Sequence, residues 1–154
     1  MYITRIICNI KYYIYKRDNI VKVYNANIKE VIKEYLNVLG IKQLELLDYE
    51  ADDIVGSMAK LASKAGYDSQ VISGDKDLLQ LISDEVDVKL LKQSGHILMT
   101  REEFMNTYQV EPIRMIDLKA LMGDSSDHIP GVKGIGEKTA SAIVSTAVKI
   151  WEEK

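Results

Sequence analysis

Ser69-Gln70-Val71-Ile72-Ser73-Gly74-Asp75-Lys76-Asp77-Leu78-Leu79-Gln80-Leu81 is the stretch on which the reading of this chain turns. Ser69 to Ser73 is a compact apolar strand stopped by Gly74, and Leu78 to Ile82 has the apolar spacing of a short helix. Between them stand two carboxylates, Asp75 and Asp77, just past the carboxyl end of the strand. In an open parallel sheet such ends converge on one crevice, and that crevice is where ligands bind. The stretch therefore predicts both a strand–helix fold and a place for chemistry within it.

The same alternation continues on either side. Val86 to Leu91 reads as a strand, Ser94-Gly95 as a turn into Ile97-Leu98-Met99, and Thr100 with Glu103 as the cap of a following helix. Pro112 stands where a helix start tolerates it and opens a segment to Met122. Upstream, a helix from about Ala51 to Ala65 places Ala51, Ile54, Val55, Met58, Leu61, Ala62 and Ala65 inward, and Ile41 to Leu47 reads as a short strand. Asn27 and Glu30 have capping-box spacing ahead of an apolar stripe (Ile28, Val31, Ile32, Tyr35, Leu36, Leu39) closed by Gly40. This order predicts an α/β core with a parallel or mixed sheet. Past Gly123 the strands stop. A polar connection from Asp124 to Gly136 leads to a last helix with Ala140, Ile143, Val144, Ala147, Val148 and Trp151 on one face. We place a boundary near residue 112, between an α/β core over 25–112 and a helical subdomain over 113–154.

Residues 1–24 have another character. They hold five of the nine tyrosines and five Lys or Arg against the single acid Asp18. Alternation in Tyr13 to Tyr15 and in Ile20 to Tyr24 suits a hairpin around Lys16 to Asn19, read as an edge ribbon or an extension divergent from the rest.

Bulk properties bound the function. At 154 residues, 47% apolar and 28% charged, the chain suits a globular domain with a real core. Cys8 is the single cysteine, so no internal disulfide forms, which suits a reducing, intracellular compartment. No apolar run approaches the ~20 residues that cross a bilayer, and the N-terminus has no signal-peptide pattern. The net charge of −3 excludes a nucleic-acid binder that works by bulk charge. The acidity is concentrated, however: apart from the seven carboxylates discussed next, 20 bases face 16 acids.

Those seven fall into three groups: Glu50, Asp52 and Asp53; Asp75 and Asp77; Asp124 and Asp127. Each alone has an ordinary structural explanation. Acids favour the first turn of a helix, Asp75 suits an N-cap, and Asp124 and Asp127 suit a loop beside Gly123. Together they require more, because carboxylates brought to one crevice resist ionising unless cations are present. An all-oxygen ligand set without Cys or His clusters selects Mg²⁺ or Mn²⁺ over zinc. Two such ions roughly 3.5–4 Å apart would activate a water and stabilise the departing oxygen of a phosphodiester, which is nuclease chemistry.

A further motif is Ile129-Pro130-Gly131-Val132-Lys133-Gly134-Ile135-Gly136-Glu137-Lys138-Thr139-Ala140. Its glycines let backbone approach a phosphate, and the helix starting near Glu137 points free N–H groups the same way. Lys133 and Lys138 add phosphate contacts independent of base sequence. The plainer alternative is a Gly-rich helix connection. A dinucleotide-binding turn fits poorly, since no strand precedes the glycines.

The motifs 49–54, 73–81, 117–127 and 129–140 occur in an order that closely resembles the 5′-nuclease domain attached to bacterial DNA polymerase I, a relative of the flap endonucleases. The likeness runs from about Asn27 to Val144. It implies an α/β sheet core followed by a helix–hairpin–helix subdomain. It also implies metal-dependent 5′-3′ exonuclease or flap-endonuclease activity in DNA replication and repair. By the resemblance, Glu50, Asp52, Asp53 and Asp75 serve the metal ion nearer the attacking water, and Asp77, Asp124 and Asp127 complete a second site. Gly131, Val132, Lys133, Gly134, Ile135, Gly136, Lys138 and Thr139 grip duplex DNA carrying a 5′ flap, nick or free 5′ end. Such hairpins also hold K⁺ through backbone carbonyls. The resemblance further implies a cytoplasmic, nucleoid-associated bacterial monomer, with a DNA polymerase as an associated partner.

His128 stands where an Asn is more usual. The family's N-terminal Asp-Gly strand, its Phe-Asp strand and its basic helical arch are not recognisable in Met1 to Tyr24, so the chain reads as truncated at both ends. Three readings follow from that. The first is a metal-dependent nuclease, the second an impaired chain that only binds duplex DNA through the hairpin, and the third a sheet left unstable by the missing strand.

Overall fold

The computed structural model describes residues 4–7, 25–125 and 127–153. Its centre is strand β2, Ser69–Ser73, whose alternate residues Ser69, Val71 and Ser73 are buried. Strand β1, Thr4–Ile7, lies parallel to it with Thr4 opposite Ser69. Strand β3, Val86–Lys92, lies parallel on the other side with Ser69 opposite Val86, and buries Val86, Val88 and Leu90 by the same alternation. Strand β4, Gly95–Met99, turns back antiparallel against β3. The result is a sheet in the order β1-β2-β3-β4, mixed as the strand–helix alternation predicted, although β1 comes from the 1–24 stretch read as a divergent extension and not from the core.

Helix α1, Asn25–Val38, begins two residues before the predicted cap, so Asn27 lies within the first turn rather than ahead of it. Its stripe does not reach the core: Val31, Tyr35 and Leu39 are more than half exposed. The strand predicted for Ile41 to Leu47 is absent. That segment is tied back to α1, because the Gln43 amide donates to the Lys33 carbonyl and to Asn37 Oδ1, both at 2.8 Å. Lys33 also pairs with Glu45 at 2.8 Å. Backbone held along a helix in this way is not offered to a sheet edge. The predicted hairpin within 13–24 lies outside the described residues.

Helix α2, Ala51–Lys64, packs Val55 and Ala59 inward. Leu61, predicted to face in, is 59% exposed. A 3-10 turn, Asp77–Leu81, buries Leu78 and Leu79. Helix α3, Arg101–Tyr108, is capped as predicted by Thr100 Oγ1, which accepts from the Glu103 N–H at 3.2 Å. Pro112 opens a 3-10 turn, Pro112–Arg114, that runs into helix α4, Met115–Met122. A two-residue ladder then forms where no strand was predicted: β5, Gly123–Asp124, against β6, Ile129–Pro130. Helix α5, Glu137–Glu152, closes the chain and buries Ala140, Ser141 and Val144, while Ile143 and Trp151 of the predicted stripe stay exposed.

One apolar cluster joins these parts. It runs from Val55 and Ala59 through Val71, Leu79 and Val88 to Phe104, Leu118 and Val144, crossing residue 112 without a break. Burial of this kind contributes on the order of 25 cal/mol per Å² of apolar surface. The site therefore rests on a shared core, with carboxylate-bearing segments from both parts fixed against it.

Candidate metal centre

The Gly-Asp-Lys-Asp turn is built by its own short side chains. Ser73 Oγ accepts from the Asp75 N–H at 3.0 Å, and Asp75 Oδ1 accepts from the Asp77 N–H at 2.9 Å. Asp75 thus closes the turn through its side chain, although the residue that caps the following 3-10 turn is Lys76 and not Asp75 as expected. At the start of α2, Asp53 Oδ2 accepts from the Glu50 N–H at 3.2 Å, so Asp53 completes the first turn of the helix. Asp52, between them, faces the other carboxylates. Its pKa is raised, first by burial and then by the negative charges of Asp75, Glu50, Asp77 and Asp53 in that order. Glu50 to Asp53 come from an irregular segment and not from a strand end, and they are not among the carboxylates whose oxygens lie within 4.8 Å of one another.

Asp124 arrives from the end of α4, in strand β5. Its strand β5 pairs with β6, and the Val132 N–H donates to the Leu121 carbonyl at 2.8 Å. Two glycines permit this. Gly123 is left-handed at φ 74°, and a Cβ on it would lie 2.6 Å from the Ile129 carbonyl oxygen. A Cβ on Gly131 would lie 2.5 Å from the Gly123 nitrogen and collide with the Met122 carbonyl. The close approach that Gly131 makes is therefore to the end of α4, against the backbone of Met122 and Gly123. His128 is also left-handed, at φ 57°. Asn accepts that conformation best among non-glycine residues, which gives a physical reason for an Asn at such a position, and His tolerates it better than most.

Asp77, Asp124 and Asp127 each place a carboxylate oxygen within 4.8 Å of the others. Asp77 Oδ1 is buried, and the Lys119 ammonium faces it at 2.5 Å. Lys119 Nζ also donates to Asp124 Oδ2. Burial works against the charge of Lys119, yet its hydrogen bonds to Asp124 and Asp77 outweigh that and leave its pKa raised. A buried carboxylate oxygen beside two further carboxylates is a donor set suited to a hard divalent cation. Sequence reasoning missed Lys119. The available signal was a cation five residues before Asp124, near the end of a helix. Nothing in that spacing says the side chain also reaches Asp77, 42 positions earlier.

The hairpin residues lie next to this cluster, since Glu137 at the start of α5 is 3.9 Å from Lys76 of the Gly-Asp-Lys-Asp turn. Gly134 is left-handed at φ 84°, with open space where a Cβ would go. Gly136 is the N-cap of α5 and is equally open. Lys133, Lys138 and Thr139 are exposed, Val132 is 54% exposed, and Ile135 packs against the core. The outward face of the predicted hairpin is therefore backbone, lysines and the free N–H groups of the first turn of α5.

Comparison with known proteins places this geometry in context. Residues 10–109 match the family model described as 5′-3′ exonuclease, N-terminal resolvase-like domain, and residues 110–152 match 5′-3′ exonuclease, C-terminal SAM fold. The first match begins inside the stretch set apart as an extension, and the second continues past Val144. The chain is 48% identical over 110 residues to DNA polymerase I of Thermus thermophilus, covering 71% of this chain and 13% of that protein. It is 46% identical over 117 residues to a 5′-3′ exonuclease of Bacillus subtilis, covering 75% of this chain and 39% of that protein. It thus spans well under half the length of these relatives. Among solved structures, the bacteriophage T5 flap endonuclease in complex with DNA and metal ions superposes with a TM-score of 0.67 at 25% identity, covering 85% of this chain and 48% of that one. The catalytic core of Rad2 in complex with DNA shares the fold, with a TM-score of 0.56 at 19% identity over 82% of this chain and 41% of that one. Among the described residues, no helix is long and apolar enough to cross a membrane.

Proposed function

Since this chain belongs to the 5′-3′ exonuclease family, we propose that it acts in metal-dependent hydrolysis of DNA phosphodiesters, on duplexes with a 5′ flap, nick or free 5′ end. The observation that carries the reading is the meeting of Asp77, Asp124 and Asp127, from segments about fifty residues apart, within 4.8 Å of one another. Asp77 also belongs to the group that raises the pKa of Asp52, which supports one continuous acidic crevice.

In this reading Asp77, Asp124 and Asp127 hold one divalent ion, Mg²⁺ or Mn²⁺. Glu50, Asp52, Asp53 and Asp75 hold a second. Such ions, when bound, supply an activated water and neutralise charge on the departing oxygen. Asp75 and Asp53 also fix backbone, so they orient the site as well as charge it. The exposed Lys133, Lys138 and Thr139, with the backbone of Gly134 and Gly136, grip phosphates of the duplex and set its register against the crevice. Backbone carbonyls of the same hairpin hold K⁺. The T5 flap endonuclease bound to DNA and metal ions supports the substrate class, and the polymerase relatives support a polymerase as the partner activity.

A labelled 5′-flap duplex, incubated with and without Mg²⁺, tests the reading. Mg²⁺-dependent cleavage lost in Asp75→Ala is the expected result. Salt-sensitive binding without cleavage would leave only the duplex-binding reading.

A further inference from the structure

Lys119 is the one side chain at the centre of the acidic crevice that the hydrolytic reading does not use. It projects from α4, its side chain is 20% exposed, and its ammonium engages Asp77 and Asp124 together. Asp127, the third member of that group, is exposed and takes no part in the bridge. Three carboxylates within 4.8 Å repel one another, and burial strengthens the repulsion. A single ammonium placed between two of them removes most of that penalty. It does so with the same carboxylates that would hold a divalent cation, and two cations cannot share them without repulsion of their own.

We propose that Lys119 is an internal counter-ion, which holds Asp77 and Asp124 in place when no metal is bound and is displaced when a divalent cation enters. This rests on the reading of Asp77, Asp124 and Asp127 as a metal site. It assigns Lys119 a positioning role and makes metal affinity at this site a competition between the ion and a side chain. Among the described residues the cost of displacement falls on this site alone, so the two halves of the crevice differ in affinity. The half around Asp52 and Asp75 fills first.

Mn²⁺ titration of the full chain, followed by the paramagnetic resonance of the free ion, tests this. The site to watch is the one lost in Asp124→Asn. Lys119→Met should bind Mn²⁺ there roughly tenfold more tightly than wild type, and Lys119→Arg, which keeps the charge, should remain near wild type. Unchanged or weaker binding in Lys119→Met overturns the proposal. A wild-type chain that binds no Mn²⁺ at all overturns the metal reading and the proposal with it, a result distinct from the previous one. The wild type alone gives a second readout that does not depend on any variant folding. Acetylation of the Lys119 amine, measured by mass spectrometry, should accelerate several-fold when Mn²⁺ is added. Mn²⁺ bound with no change in that rate also overturns the proposal.

Discussion

The two halves of the acidic crevice meet the same electrostatic difficulty in different ways. Around Asp52 no ammonium stands among the carboxylates of the described residues, and the penalty shows as a raised Asp52 pKa. Around Asp124 the penalty is met by Lys119, bridging to Asp77. The halves also differ in how they are built. The Asp52 half uses local devices, a first helical turn and a three-residue turn closed by Asp75. The Asp124 half depends on backbone contact between segments, Gly123 against Gly131, with the 123–131 loop held by the end of α4. One half is written in short stretches of sequence, and the other in the meeting of distant ones.

Asp77 is the residue common to both, and its loss should have the largest effect. Asp77→Asn is expected to lower Mg²⁺-dependent cleavage by roughly 10²–10³-fold, measured on a 5′-flap duplex. Near-normal cleavage would mean that the halves do not work as one crevice. Gly131→Ala should come next. Its methyl has no room against Met122 and Gly123, so a cost of about 1–3 kcal/mol is expected in urea unfolding. That variant should lose Mn²⁺ binding on the Asp124 side and keep it on the Asp52 side. Loss of both would show that the loop supports the whole crevice.

A smaller effect, in the opposite direction, is expected for Asp52→Asn in metal-free buffer. The folded-state pKa of Asp52 lies above its unfolded value, so its protonated form is favoured by folding. That contribution is present in acid and is lost as pH rises through the folded pKa. The variant should therefore unfold at a higher temperature than wild type at pH 7, with the difference fading below the ordinary carboxylate range. No gain at pH 7 would place Asp52 outside the repulsive group. The smallest effect belongs to His128→Asn, a relief of left-handed strain of about 0.5 kcal/mol or less, read by thermal unfolding.

Much of this was legible in the sequence where the signal is local. Ser69 to Ser73 forms the strand its composition indicated, Thr100 caps α3, and Pro112 opens the turn before α4. The failures have a common cause. Ile41 to Leu47 has strand composition, but Gln43 and Glu45 bind α1, and a pattern of apolar residues does not register such a bond. Leu61 and Ile143 sit on apolar helical stripes and remain exposed, because the width of a buried face depends on what packs against it. Gly131 was read as a glycine for phosphate approach, and its immediate constraint is the end of α4.

The sequence by itself determined the acidic groups, the strands and helices from Ala51 to Met122, and the hairpin motif, since each depends on residues a few positions apart. The family resemblance had already grouped Asp77 with Asp124 and Asp127, whose oxygens the tertiary structure places within 4.8 Å, and the tertiary structure alone decided that Lys119 stands between two of them. Those groupings depend on how α4 and the Gly-Asp-Lys-Asp turn pack over one shared core. Distances across a core are set by the whole of its packing, and no local spacing encodes them.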